Sequence, residues 1–233
     1  MKRAVLEQLL EVRADKRPLV LVTELESGNQ ALVFAGDNGG GGLAAEVVSA
    51  ARDALRAGRS AILDRSDAGR TFLHVFNPPR RLFIVGAVHI AQALAPMAAM
   101  LGYGVTVIDP RRAFASPQRF AGIRVLDDWP DEALAGEDLD ARSAVVTLTH
   151  DPKLDDPALA AALRSDAFYI GCLGSRRTHA KRLERLTAAG FDAQSLDRLH
   201  GPVGLDIGAS SPAEIATSIL AEMTQTLRRE RSG

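Results

Sequence analysis

The stretch "LFIVGAVHIAQALAPMAAMLGYGVTVIDPR", residues 82–111, decides the fold. An apolar run meets a glycine at Gly86, a helix-like stretch follows, and a second apolar run ends in Asp109. An apolar strand, a glycine turn and a helix in this order are typical of a nucleotide-binding βαβ unit. The stretch therefore predicts a Rossmann-like domain.

The glycine turn departs from the G-x-G-x-x-G pattern at one position. Gly86 holds the first place, Ala91 is an accepted third residue, and Val88 stands where the second glycine is expected. That second glycine normally lets the backbone approach a pyrophosphate. The standard binding pose of a dinucleotide is therefore disfavoured, although binding of a phosphate in a displaced position stays an alternative. A glycine at position 88 is expected to admit NAD.

The chain divides near "NPPRR", residues 77–81, because two prolines suit a linker better than a helix or a central strand. Residues 1–77 read as a small α+β domain that begins with an amphipathic helix and contains four short strands around a second helix. Residues 81–233 alternate near-continuous apolar runs with helical stretches, which predicts a parallel sheet covered on both faces. The predicted fold class is α/β.

Two further stretches carry structural expectations. The run "GDNGGGG", residues 36–42, is interpreted as a flexible loop before a helix, and the acidic stretch Asp127–Asp140 as a solvated connection. In "SSPAE", Ser211 can cap the last helix and Glu214 can complete a capping box.

Composition excludes several classes of protein. Hydrophobic residues make up 46% and charged residues 24%, which is typical of a globular chain. Because 28 basic residues balance 29 acidic ones, nothing favours nucleic acid or an anionic membrane as a partner. The single cysteine, Cys172, excludes an internal disulfide, and a cytoplasmic location is expected.

Ligands bind an open parallel sheet beyond the carboxyl ends of its strands, so the candidate site follows the strands. Asp109 is suited to a ribose or to a turn cap, and His150 to a ligand, a proton transfer or a purely structural role. The candidate cofactor-binding residues are Gly86, Ala87, His89, Asp109, Arg111, His150, Asp151, Gly174, Ser175, Arg176 and Arg177. No catalytic residue and no metal ligand is assigned.

The densest candidate site is "YIGCLGSRRTHAKR", residues 169–182. A strand ends in a Gly-x-x-Gly turn before a helix, and helix N-termini favour anions. Arg176 and Arg177 are interpreted as phosphate ligands, whereas Arg182 and Arg185 are assigned to a solvated helix face. Cys172 is expected to be a small buried residue rather than a reactive thiol.

Five segments together resemble the XdhC/CoxI family: "FIVGAVHIA", "VTVIDPR", "LTHDPKLDDPAL", "YIGCLGSRRTHAKRLERL" and "HGPVGLDIGASSPAEIATSILAEM". The resemblance covers about residues 81–228. It implies an accessory protein that binds the molybdenum cofactor and assists its sulfuration and its insertion into a molybdenum hydroxylase. Xanthine dehydrogenase or CO dehydrogenase in its apo form is the implied partner, and a cysteine desulfurase or a homodimer stays open.

The sequence departs from the family in its N-terminal half. Gly42 stands where many members have a cysteine, Ala44 where they have a glutamate, and the Gly-Ser-x-Pro-Arg segment is absent. These departures indicate a shortened N-terminal domain and put a sulfur-carrying role in doubt. An NAD(P)-dependent oxidoreductase and a nucleotide-sensing regulatory module are the alternatives, and the resemblance favours a chaperone over an enzyme.

Overall fold

The computed structural model describes residues 2–36, 42–65, 69–116 and 118–229. They form two compact units that divide between Pro78 and Pro79. The predicted glycine-rich loop falls mainly on residues 37–41, which lie outside the described residues. None of the helices within these ranges is both long and apolar enough to cross a bilayer.

Within its described residues, the N-terminal unit contains two helices and a four-stranded antiparallel sheet of order β2-β1-β4-β3. One face of α2 packs on this sheet because Val47, Ala51 and Leu55 are spaced to face it. Gly58 then ends the helix in the left-handed conformation, which glycine adopts without a Cβ penalty. The elements are α1 (Arg3–Ala14), β1 (Leu19–Glu24), β2 (Gln30–Phe34), α2 (Ala45–Ala57), β3 (Ala61–Arg65) and β4 (Gly69–Phe76).

The C-terminal unit contains six parallel strands and six helices within the described residues. Its elements are β5 (Arg81–Val85), α3 (His89–Met100), β6 (Gly104–Ile108), β7 (Arg124–Leu126), α4 (Pro130–Ala135), β8 (Ser143–Thr147), α5 (Pro152–Leu163), β9 (Tyr169–Cys172), α6 (Arg176–Ala188), α7 (Ala193–Leu196), β10 (Leu199–His200) and α8 (Pro212–Arg229).

The sheet has the strand order β10-β9-β8-β5-β6-β7, with every neighbouring pair parallel. Read from β7, this is the order 3-2-1-4-5-6 of the doubly wound dinucleotide-binding fold. The order reverses between β5 and β8, and ligands bind such sheets at that switch point. The predicted α/β class with a Rossmann-like sheet is confirmed.

Two buried layers cover the sheet. Alternate residues of β5 face opposite sides, so that Ile84 packs with α3 and α8 while Phe83 packs with α4 and α5. The last helix begins as predicted, because the Glu214 N–H donates to Ser211 Oγ and the Ser211 N–H donates to Glu214 Oε2.

The acidic stretch Asp127–Asp140 is not simply a solvated connection, and that expectation is wrong for its middle. It contains helix α4, where Ala133 and Leu134 are buried in the same layer as α5. Their apolar side chains outweigh the acidic composition of the stretch, because burying them removes hydrocarbon surface from water while Asp131 and Glu132 on the same helix stay exposed.

Candidate functional site

The predicted site residues lie at four turns along one edge of the parallel sheet. Because β9, β8, β5 and β6 are neighbours in that order, the turns after their carboxyl ends are neighbours too. Gly86, Ala87 and His89 follow β5; Asp109 and Arg111 follow β6; His150 and Asp151 follow β8; Gly174, Ser175, Arg176 and Arg177 follow β9.

The turn after β5 requires glycine at its first position. Gly86 has a φ of +109°, and a Cβ atom there would lie 2.6 Å from Cγ2 of Thr149. This close approach joins the β5 turn to the end of β8. Val88 has ordinary extended backbone angles, and its partly buried side chain packs against the core. His89 begins α3 with an exposed side chain.

Asp109 holds this turn from the neighbouring strand. It is fully buried, and its Oδ2 accepts the Ala87 N–H at 2.8 Å and the Arg111 Nη2 at 2.8 Å. Its Oδ1 accepts the Arg111 N–H and Nε at 3.0 and 2.9 Å. Burial raises the pKa of Asp109, but these hydrogen bonds outweigh burial and lower it. Both oxygens are thus engaged within the protein, and contact with a ribose stays a prediction.

The turn after β8 is held by its own side chains. Asp151 caps α5 by accepting the Lys153 N–H at 3.0 Å. The Thr149 hydroxyl accepts the Asp151 N–H at 3.1 Å and donates to Asp155 Oδ1 at 2.6 Å. His150 has a φ of +65°, a left-handed conformation that is uncommon for a residue other than glycine. The exposed imidazole therefore stands at the sheet edge on a constrained backbone.

The turn after β9 leads into the basic helix α6. Gly174 has a φ of +140°, and Ser175 caps the helix by accepting the Thr178 N–H at 3.2 Å. Arg176 and Arg177 are the first two helical residues, with exposed side chains at the positive end of the helix.

A pocket of about 180 Å³ lies between the turns after β8 and β9. It brings together His150 and Arg177, which follow separate strands in the sequence. Helix α6 also supplies cationic side chains, and Asp155 is the acidic group of the lining. The pocket is lined by His150, Pro152, Asp155, Arg177, Thr178, Lys181, Arg182 and Arg185.

Arg182 is a deep element of this pocket, and its assignment to a solvated face is wrong. It is only 1% exposed, because it faces inward one helical turn before the buried Leu186. Its Nη2 donates to the Leu173 carbonyl at 2.8 Å and lies 3.6 Å from Asp155 Oδ2. The spacing of Arg182 and Leu186 on one helix face was the signal that could have revealed it.

Asp155 is the second residue that sequence reasoning missed. It is 1% exposed and shares the buried face of α5 with Ala158 and Leu159, three and four positions later. Burial raises its pKa, and the hydrogen bond from Thr149 and the charge of Arg182 offset only part of that effect. Ionisation of Asp155 is therefore less favourable than in an exposed aspartate, although Arg182 stabilises the charged form.

Cys172 is buried at the end of β9, as predicted. Its thiol donates to the His200 carbonyl at 3.4 Å, and His179 Nδ1 lies 3.7 Å from Sγ. Burial raises the pKa of Cys172 to about 11. The thiolate, which is the nucleophilic form, is accordingly disfavoured near neutral pH.

A polar cluster that the sequence did not reveal ties α8 to the sheet. Tyr169 donates to Glu222 Oε2 at 2.6 Å, the Gly204 N–H donates to the same oxygen at 2.8 Å, and His200 Nδ1 lies 3.2 Å from Oε1. Tyr169 and His200 also stack, with ring centroids 4.5 Å apart. These contacts hold α8 against β9 and β10.

A larger cavity of about 640 Å³ lies between α3 and α8. Its lining is mainly apolar and includes Met97, Met100 and Leu220, with Arg228 as the charged group. Specific recognition of a polar cofactor requires convergent polar groups. The smaller, charged pocket at the carboxyl edge is therefore the better candidate site.

Comparison with known proteins agrees with this architecture. A family model for the XdhC Rossmann domain matches residues 82–223. A crystal structure of a xanthine dehydrogenase from Bacillus halodurans superposes with a TM-score of 0.76 at 24% identity. That similarity covers 99% of this chain and 68% of the other, and it supports the fold alone.

Curated relatives match over most of this chain. The molybdenum cofactor insertion chaperone PaoD of Escherichia coli (strain K12) is 34% identical over 148 residues, which is 64% of this chain and 40% of the relative. A probable xanthine dehydrogenase subunit of Bacillus subtilis (strain 168) is 32% identical over 159 residues, 68% of this chain and 46% of the relative. The chain thus spans less than half the length of either protein.

Proposed function

The chain belongs to the XdhC family, and from this membership we propose that it is an accessory protein for a molybdenum hydroxylase. In this role it binds the molybdenum cofactor and assists its insertion into an apo-enzyme such as xanthine dehydrogenase or CO dehydrogenase. The observation that carries the proposal is the match of the XdhC Rossmann domain over residues 82–223, which include all four turns of the candidate site.

The residues at the sheet edge fit a pterin that carries a phosphate. Free N–H groups at the start of α6 and the side chains of Arg176 and Arg177 supply donors for an anion. Gly86, Ala87 and His89 would contribute from the turn after β5, and His150 and Asp151 from the turn after β8, which lies between the turns after β5 and β9. Asp109 and Arg111 would keep the β5 turn in place. When bound, the cofactor supplies a molybdenum centre for the client, and the protein's task is to hold and shield it.

Further parts of the proposal depend on the family resemblance. We assign the protein to the cytoplasm, where a lone cysteine stays reduced. A homodimer and a cysteine desulfurase partner belong to the same proposal, as does assistance in sulfuration. Because Cys172 is buried and its pKa is raised, any sulfur-carrying thiol is assigned to a partner.

The proposal is tested by incubating the purified chain with cofactor released from a molybdoenzyme. After gel filtration, the bound pterin is identified by mass, and the complex is added to apo-xanthine dehydrogenase to measure activation. Retention and activation are expected for the wild type. Replacing Arg176 and Arg177 with alanine should weaken retention about tenfold or more, since each charged hydrogen bond contributes roughly 1.5–3 kcal/mol.

The same assay discriminates the alternatives. A parallel titration with NAD and NADP should show no comparable binding, because Val88 stands at the pyrophosphate position and Asp109 is engaged internally. Tight binding of a nicotinamide cofactor without pterin retention would replace the chaperone proposal with the oxidoreductase.

A further inference from the structure

The buried guanidinium of Arg182 has more donors than the protein satisfies. Its Nη2 donates a hydrogen bond to the Leu173 carbonyl. Among the described residues, Nε and Nη1 have no hydrogen-bond partner, although the side chain is 2% exposed. A buried charged donor without a partner is costly, so these N–H groups indicate a ligand that accepts hydrogen bonds.

The carboxylate beside Arg182 does not satisfy the remaining hydrogen-bond donors of its guanidinium. Asp155 Oδ2 lies 3.6 Å from Nη2, beyond hydrogen-bond distance, and within the described part of the chain this oxygen has no hydrogen-bond partner either. The two groups therefore form a loose pair that faces the pocket. A loose buried pair leaves the guanidinium available to a stronger acceptor.

The charge and size of the pocket define that acceptor. Arg177, Lys181 and Arg182 line it against the carboxylate of Asp155, so an anion is favoured. Arg185 also lines the pocket, but its guanidinium is paired with Asp156. A guanidinium matches two oxygens of a phosphate with parallel N–H donors. At about 180 Å³ the pocket is smaller than the ~300–1,000 Å³ that holds a drug-sized ligand. It accommodates a single tetrahedral oxyanion rather than a whole nucleotide.

We propose that this pocket is a phosphate-class oxyanion subsite whose principal ligand is the buried Arg182, with Arg177 and Lys181 at its mouth. Asp155 is the counter-ion that the ligand displaces from Arg182. The subsite lies after β8 and β9, apart from the glycine turn after β5 where a dinucleotide-binding fold holds its pyrophosphate. Its identification with the phosphate of the molybdenum cofactor rests on the proposed function; the subsite itself does not.

The test titrates inorganic phosphate into the full chain and follows both heat and the thermal unfolding midpoint. Phosphate is expected to stabilise the wild type, because a ligand that binds only the folded state raises its stability. Arg182→Met should weaken phosphate binding about tenfold or more. Arg182→Lys should weaken it less, because lysine keeps the positive charge but cannot donate two parallel hydrogen bonds to the phosphate. Asp155→Asn should strengthen binding by removing the competing carboxylate.

Matched controls come from the amino ends of the strands, at the other end of the sheet from the pocket. Arg124→Met removes one basic charge at the start of β7, and Asp166→Asn removes one exposed acidic charge before β9. Both should bind phosphate as the wild type does. If Arg182→Met does not fold, Arg182→Lys decides. The subsite proposal would be overturned if phosphate left the thermal unfolding midpoint of the wild type unchanged. It would also be overturned if the folded Arg182 variants bound phosphate with wild-type affinity.

A second arm identifies the source of the oxyanion by comparing a pterin phosphate monoester with the same pterin lacking phosphate. If the cofactor's phosphate occupies the pocket, the wild type prefers the monoester and Arg182→Lys loses that preference. Phosphate binding without this preference supports the subsite and overturns its assignment to the cofactor. Loss of all pterin binding with phosphate binding intact contradicts the proposed function and leaves the subsite standing.

Discussion

Two aspartate–arginine pairs lie at the carboxyl edge of the same sheet. In the first, Asp109 and Arg111 share three hydrogen bonds, and Asp109 also accepts the Ala87 N–H. In the second, Asp155 and Arg182 stay 3.6 Å apart, and both retain polar atoms without partners among the described residues. The first pair has the properties of a structural brace, and the second those of a site prepared for a ligand.

The difference also appears in the two carboxyl groups. The pKa of Asp109 is lowered because its hydrogen bonds outweigh burial, whereas burial dominates at Asp155 and raises its pKa. Similar residue types at one sheet edge thus have pKa values shifted in opposite directions. Hydrogen-bond satisfaction, rather than residue identity, distinguishes a structural pair from a candidate ligand site.

The largest expected effect comes from making the same substitution in both pairs. Asp109→Asn should cost about 3 kcal/mol of unfolding free energy, because an amide nitrogen would face the donors of Ala87 and Arg111. Asp155→Asn should cost less than about 1 kcal/mol, because a raised folded pKa means that ionisation of Asp155 opposes folding, and an amide oxygen can still accept from Thr149. Urea unfolding of both variants measures the contrast.

The pH dependence of these variants provides the control. The contribution of Asp109 is present above its unfolded pKa, near the ordinary value of 3.8, and is lost as pH falls through its lowered folded pKa. The wild-type advantage over Asp109→Asn should therefore shrink in acid. Asp155 has a raised pKa, so its contribution is greatest below 3.8 and declines as pH rises through the folded pKa. Equal losses and parallel pH curves would contradict the distinction.

A smaller effect tests how the β5 turn and the β8 turn are joined. Gly86→Ala should lose about 2–3 kcal/mol, because φ is +109° and the new Cβ would lie 2.6 Å from Thr149 Cγ2. Adding Thr149→Ser removes that methyl group and keeps the hydroxyl that bonds Asp155. The double variant should regain part of the loss in urea unfolding. An Ala substitution without cost would show that the turn does not depend on glycine.

Much of the fold was predictable because its determinants are local. The apolar runs of β5, β6, β8 and β9 are continuous, as in strands buried on both faces, and their alternation with helical stretches predicted the parallel sheet. Helix α4 was missed because the charge of Asp127–Asp140 obscured Ala133 and Leu134. Strand β10 has only two residues and exists through its pairing with β9, which no local pattern indicates.

The candidate site was predictable only in its outline. Strand ends indicate turns along the carboxyl edge of the sheet, and the structure brings His150 and Arg177 to one pocket there. Arg182 was misassigned because a basic run on a helix usually faces solvent, whereas here tertiary packing buries one of its members. Asp109 shows the converse, since a strand-end carboxylate suited to a ribose is engaged by its own neighbours.

The smallest expected effect concerns Val88, whose replacement tests whether the β5 turn itself binds a ligand. Val88→Gly should lose about 1 kcal/mol, from added backbone freedom and from lost packing against the core. The sequence alone predicts that this glycine admits NAD, but both oxygens of Asp109 are held by Ala87 and Arg111, so we expect no gain in NAD affinity. Calorimetric titration with NAD measures it, and Val88→Ala controls for the lost side chain. Tight NAD binding by Val88→Gly alone would show that the brace opens for a ribose, and the two pairs would then serve one extended site.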